Sequence, residues 1–182
     1  GRIDAVWANA GIAKAMPVML MDEADWLSVI DVNLSGVFRT LRATAGHLRE
    51  SQGYVLVTSS ITSTVAIPFA SAYVSSKAAV LNLAEAFRSE MYGWGVEVGT
   101  VHPTFIRTPL VTGAIYEDKM GGLIQSTSKL LFIEFPLSWA SWTCARMILK
   151  RKRRNTVPAW THMPFIWFPR FGNWFANVWG FR

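Results

Sequence analysis

Tyr73 and Lys77 stand four residues apart, and Ser60 precedes Tyr73 by 13 residues. The pair lies in Ser71-Ala72-Tyr73-Val74-Ser75-Ser76-Lys77-Ala78-Ala79, which reads as the opening of a helix. Residues four apart on a helix share a face. An ammonium beside a phenol favours the phenolate and draws its pKa down from about 10 toward working pH. The phenol then becomes a general acid/base, a task for which it is ordinarily too weak. A hydroxyl arriving from another element, Ser60, could hold a carbonyl or alcohol oxygen beside it. The chemistry expected is proton transfer to or from that oxygen.

Each of these side chains needs an element to present it. Residues 3–8 are a short apolar run ending in Asn9-Ala10-Gly11, which predicts a buried strand leaving into a turn. Asp22 is placed to cap a short helix through Ile30. A longer helix over about residues 32–49 sets Leu34, Phe38, Leu41, Ala45 and Leu48 on one apolar stripe, and Gln52-Gly53 ends it. Residues 54–58 are a β-branched run that feeds the polar Ser59-Ser60 loop. The Tyr73 helix continues to about residue 92, with Val80, Leu83, Ala84 and Phe87 inward and Gly93 and Gly95 at its end. Residues 96–101 read as the next strand, closed by Pro103; residues 136–150 read as a helix and 155–159 as the last strand. Strands alternating with amphipathic helices predict βαβ units and a parallel α/β sheet. Asn9, Ser60 and the Pro103 loop then share the carboxyl ends of the strands, where open sheets of this kind bind ligands.

At these residues the chain resembles the short-chain dehydrogenase/reductase family. Ser60, Tyr73 and Lys77 match its Ser…Tyr-x-x-x-Lys motif. Asn9-Ala10-Gly11 looks like its Asn-Ala-Gly turn after the fourth strand, and Asp31-Val32-Asn33-Leu34-Ser35-Gly36 like the helix carrying its catalytic Asn. The segment from Val101 through His102, Pro103 and Ile106 to Thr108 is similar to its Pro-Gly-x-x-x-Thr stretch, with Thr104 in place of the usual glycine. The match is good over residues 1–115 and loose over 116–158. It implies a Rossmann-like doubly wound sheet and an NAD(P)-dependent oxidoreductase that interconverts a carbonyl and a secondary alcohol. By resemblance Tyr73 is the acid/base, and Lys77 tunes it and binds the nicotinamide ribose. Ser60 positions the substrate oxygen, and Asn33 holds a water in a proton relay. Cofactor contacts would come from Asn9, Ala10, Gly11, Tyr73, Lys77, Pro103, Ile106 and Thr108. A side chain at Thr104 either crowds the nicotinamide pocket or only alters the turn. The family also implies a homo-oligomer and, over residues 104–128, a mobile substrate loop. Its glycine-rich opening turn, which receives the pyrophosphate, has no counterpart here. The expectation is therefore the C-terminal two-thirds of such a domain. NAD and NADP cannot be told apart, because the discriminating residues fall in the missing part.

Composition narrows the partners. Hydrophobic residues make up 51% of the chain and charged ones 16%, which excludes general disorder. The single cysteine, Cys144, precludes an internal disulfide and reads as a buried apolar thiol among Trp142, Met147 and Ile148. His47, His102 and His162 lie far apart without ligand spacing, so they read as structural or surface residues and no metal is expected. All 12 acids precede residue 135, so the excess of basic residues sits in the last stretch. The run Lys150-Arg151-Lys152-Arg153-Arg154 has three readings: a solvated helix end, an anionic membrane-surface anchor with the aromatics of 159–182, or a nucleic-acid contact, which no recognisable motif supports. The organisation expected is a partial catalytic domain over 1–158 and an aromatic, basic extension over 159–182. The expected location is the cytoplasm, with membrane association through 150–182. The aromatic tail also points to a small apolar substrate, such as a lipid-like alcohol or ketone. The rival to an enzyme is an inactive remnant of the fold serving as a membrane-surface or scaffold protein.

Overall fold

The computed structural model describes residues 1–110 and 135–157. Four strands form one parallel sheet in the order β1 (Ala5–Ala8), β2 (Tyr54–Thr58), β3 (Glu97–Pro103), β4 (Arg154–Val157). Parallel neighbours require crossovers. Helices α1 (Glu23–Ile30) and α2 (Gly36–Ser51) lie between β1 and β2, α3 (Ser71–Met91) joins β2 to β3, and α4 (Leu137–Leu149) leads into β4.

Side-chain alternation along β2 divides the interior in two. Val55 and Val57 pack with Leu41 and Leu48 of α2 and with Val80, Ala84 and Phe87 of α3. Tyr54 and Leu56 point to the opposite face and meet Cys144 and Met147 of α4. Helices on both faces make the sheet doubly wound, as the family resemblance implies. Burial pushes the Cys144 thiol up to about 11, so it is an inert core residue. The Tyr54 hydroxyl donates to the Lys152 carbonyl at 2.7 Å, passing over Gly99, where any Cβ would strike both groups.

Several expectations change. Strand β1 is not fully buried: only Ala8 is, with Val6 partly covered, because among the described residues β1 pairs with β2 alone. Phe38 is half exposed and Val37 takes its place in the core. At about 100° per residue Val37 lies on the side of the buried Leu41 and Leu48, and Phe38 falls on the opposite flank of the stripe. Trp142 is exposed and covers Arg146 rather than Cys144. The run 150–154 is not a free cationic end. Arg151 donates to the Gln52 carbonyl at 2.9 Å and reaches Glu97 at 3.5 Å, Arg153 reaches Glu85 at 3.4 Å, and Arg154 lies against His102 at 3.2 Å. To enter the sheet beside β3, the chain must pass the amino ends of β2 and β3, and its cations find partners there. Most of the expected substrate loop, residues 111–128, and the extension 159–182 lie outside the described residues.

Candidate active site

Three loops leave the carboxyl ends of β1, β2 and β3 on one side of the sheet. Asn9 braces the first two: its Oδ1 accepts from the Thr58 hydroxyl at 2.9 Å, which itself accepts from the Trp7 indole N–H at 2.9 Å. The Ser59 amide donates to the Val101 carbonyl at 2.9 Å and joins the β2 exit to β3. Ser60 follows in extended backbone and caps a short turn, its Oγ accepting from the Thr62 amide at 3.2 Å. With an acceptor site filled in this way, the Ser60 hydroxyl proton is left to donate.

The first turns of α3 bring Tyr73 and Lys77 to the same place. Lys77 is only 3% exposed, its Nζ donates to the Thr58 carbonyl at 2.9 Å, and it lies 5.7 Å from the centre of the Tyr73 ring. Burial holds the Lys77 ammonium down to about 8. Tyr73 departs from expectation. Burial raises its pKa, and the opposing pull is a hydrogen bond with Ser60, not the field of Lys77. The reason is distance and desolvation: Nζ is turned to a carbonyl, and a buried phenol resists ionisation.

Asn33 explains how the two helices are held. It sits in a wide five-residue turn, Asp31–Ser35, where α1 runs on into α2. Such π-turns interrupt the regular ladder and free a side chain to face inward. Asn33 Oδ1 accepts from the Ile12 amide at 2.8 Å, and Nδ2 donates to the Ile12 carbonyl and the Ser76 hydroxyl, each at 2.9 Å. Ser76 in turn donates to the Tyr73 carbonyl at 2.7 Å. The fully buried Asn33 amide is thus a three-way brace between the Asn-Ala-Gly turn and α3. Both amide hydrogens are spent on the protein, so a water at Asn33 would have to donate to the second lone pair of Oδ1 or bind the main chain. Gly11 lies over this junction. A Cβ there would stand 3.3 Å from Asn33 Oδ1 and 3.4 Å from Lys77 Nζ.

The remaining expected cofactor contacts are more scattered. Ala10 is exposed beside Asn9, and Pro103 ends β3. Ile106 buries its side chain in the second core, and Thr108 is half-buried just beyond it. Thr104 turns back to β4: its Oγ1 and its amide both donate to the Val157 carbonyl, at 2.8 and 3.0 Å. Sequence reasoning missed Thr58, Ser76 and His102. Ser76 carried a signal, a small polar residue three positions after Tyr73 on the same helical face. Among the described residues no cluster of His, Cys, Asp or Glu could hold a metal.

The arrangement has relatives. The family model for short chain dehydrogenases matches residues 1–118. The chain belongs to the short-chain dehydrogenase family. A 3-oxoacyl-(acyl-carrier-protein) reductase of Thermotoga maritima is 34% identical over 111 residues, covering 60% of this chain and 45% of that protein. Its namesake in Staphylococcus aureus strain Mu50 is 37% identical over 107 residues, 58% of this chain and 44% of the other. The chain therefore spans about half the length of the curated relatives it matches. Among solved structures, a short-chain dehydrogenase of Mycobacterium paratuberculosis bound to NAD superposes with a TM-score of 0.73 at 26% identity, over 86% of this chain and 63% of that one. An alcohol dehydrogenase of Thermococcus sibiricus complexed with 5-hydroxy-NADP gives 0.60 at 28% identity, over 75% and 63%.

Proposed function

We propose that the chain is the catalytic part of an NAD(P)-dependent oxidoreductase that interconverts a carbonyl and a secondary alcohol. One observation carries this reading: Tyr73, whose phenol feels the Ser60 hydroxyl, and the buried Lys77 converge at the carboxyl end of β2 beneath the Asn-Ala-Gly turn. Solved relatives that carry NAD or an NADP derivative support the cofactor class without choosing between the two.

The residues present fit the nicotinamide end of such a cofactor. An ammonium has three donors, and the Thr58 carbonyl takes one. Gly11 leaves the space before Lys77 clear, where a side chain would fill it. The ribose hydroxyls would be held by Lys77 and Tyr73, with main-chain contacts from Pro103, Ile106 and Thr108. When bound, the nicotinamide supplies or accepts the hydride.

The chain's own residues handle the proton. In reduction the neutral Tyr73 phenol gives its proton to the carbonyl oxygen as the C=O bond becomes C–OH. The Ser60 hydroxyl donates to the same oxygen and fixes its position. Lys77 would stabilise the charge that Tyr73 acquires once its ammonium turns from the Thr58 carbonyl toward the phenol. In oxidation Tyr73 takes the alcohol proton back.

An apolar substrate is the reading that the aromatic residues of 159–182 favour. The rival, a membrane-surface or scaffold protein, loses support because three of the five cations in 150–154 are already engaged with the domain. In its favour α4 exposes Trp139, Trp142 and Leu149. No helix among the described residues is long and apolar enough to cross a membrane. Fluorescence titration with NADH and NADPH, on this chain and on the full product of its gene, separates the readings. Binding by either form, with turnover of apolar ketones such as 2-decanone and acetophenone, supports the enzyme. Absence of dinucleotide binding in both forms rejects it.

A further inference from the structure

His102 is buried without any exposure, in a strand, directly behind Ser60. Its Nδ1 lies 3.2 Å from the Ser60 carbonyl, and its Nε2 lies 3.0 Å from Thr100 Oγ1 and 3.2 Å from Arg154 Nε. A guanidinium can only donate. Nε2 must therefore offer its lone pair, which puts the imidazole proton on Nδ1 and makes Nδ1–H the donor to Ser60. Ser63 adds two more donors to the same carbonyl, its Oγ at 2.7 Å and its amide at 3.1 Å. Sheet register builds this contact, since Arg154 is paired with Thr100 in the β3–β4 ladder and Thr100 lies one alternation from His102.

We propose that His102 is a positioning residue for Ser60. A neutral imidazole, its lone pair occupied by Arg154, clamps the Ser60 main chain and so fixes where the Ser60 hydroxyl points. The idea rests on the reading of Ser60 as the anchor for the substrate oxygen. It adds a path from the last strand to the reacting group: Arg154 sets the tautomer, His102 holds the carbonyl, and Ser60 presents its hydroxyl. Neither Arg154 nor His102 is given a substrate contact, so their effect on turnover must pass through Ser60.

The test compares His102→Asn, His102→Gln and His102→Leu, each alone and combined with Ser60→Ala, in the protein shown to bind dinucleotide and with 2-decanone and acetophenone as probes. Asn keeps a donor near the Nδ1 position, whereas Gln moves its amide toward the Nε2 position. His102→Leu and His102→Gln should lower kcat by about three- to tenfold, the weight of one hydrogen bond, with the dinucleotide Kd unmoved. His102→Asn should recover most of that loss. In the Ser60→Ala background His102→Leu should cost almost nothing more. Equal losses in both backgrounds, or no rescue by Asn, overturn the proposal. A second readout needs no turnover. Two-bond ¹⁵N–¹H spectra should show the Nδ1–H tautomer, and the Ser60 carbonyl ¹³C shift should move in His102→Leu but not in His102→Asn. An Nε2–H tautomer overturns the proposal. Absence of turnover in the wild type would instead reject the oxidoreductase reading, leaving the tautomer and the carbonyl shift to decide this one.

Discussion

Lys77 Nζ donates to the Thr58 carbonyl at 2.9 Å, so the deepest cation of the site is anchored on the end of the central strand. No carboxylate among the described residues pairs with it, and burial alone draws its pKa from 10.5 to about 8. The sign of the consequence follows. Between these values the unfolded chain binds the proton and the folded chain does not, so stability rises with pH across that window. Below about pH 8 the folded protein carries the full penalty, roughly 3 kcal/mol. Urea unfolding of the wild type and Lys77→Met from pH 7 to pH 10 should show the wild type gaining on the variant as pH climbs. Taking the difference cancels other titrating groups. A gap that stays constant with pH would show that Lys77 is not a desolvated cation.

Tyr73 yields a directional pH prediction for turnover. Because burial raises its pKa, the phenol is neutral through physiological pH. Carbonyl reduction, which spends the phenol proton, should hold through neutral pH and fall only in alkali. Alcohol oxidation, which needs the phenolate, should climb with pH. Tyr73→Phe should cut both by roughly 10²–10⁴-fold and, through one lost ribose hydrogen bond, weaken the dinucleotide Kd by no more than about tenfold. An oxidation rate that stays flat from pH 6 to 10 would remove Tyr73 from the acid/base role.

Asn33 is predicted to be a structural keystone. Asn33→Ala leaves the Ile12 amide and carbonyl without their partner, at a cost of about 2–4 kcal/mol. Asn33→Asp conserves volume but cannot donate to the Ile12 carbonyl or to Ser76, and it buries a charge. It should cost at least as much as the alanine. Thermal unfolding should show both variants lowered by roughly 5–15 °C. An aspartate variant as stable as the wild type would contradict the brace.

How far the sequence spoke depended on range. Tyr73, Lys77, Val80 and Ala84 obey one helical period, so their shared helix was readable from spacing alone. The β-branched run of residues 54–58 gave β2 but not its two faces, because Tyr54 to Val57 are all apolar and all buried. Asn33 was found by motif but not its part, because a five-residue turn has no 3.6-residue signature and its partners Ile12 and Ser76 lie 21 and 43 positions away. Arg154 and His102 are 52 positions apart. Their meeting depends on β3–β4 register, and register is decided by packing of the whole sheet. The same holds for the cations of 150–154, whose partners belong to other strands and helices.

Thr104 tests the one departure from the family pattern. Its side chain could fill the nicotinamide pocket or serve the turn, and the hydroxyl is bonded to the Val157 carbonyl at 2.8 Å. The Thr104 amide holds that same carbonyl at 3.0 Å, so removing the hydroxyl orphans nothing. Thr104→Val should therefore cost only about 0.5–1.5 kcal/mol, one exchanged hydrogen bond. Thr104→Gly adds the entropy of a freer backbone and should cost roughly 0.5–1 kcal/mol more. Since the hydroxyl is directed at β4, the glycine variant should bind NADH or NADPH within about threefold of the wild type, well under the tenfold that 1.4 kcal/mol represents. Paired urea and fluorescence titrations read both quantities on one sample. Tightening by tenfold or more in Thr104→Gly would mean that the threonine side chain crowds the cofactor, and the tie to Val157 would then be the lesser of its effects.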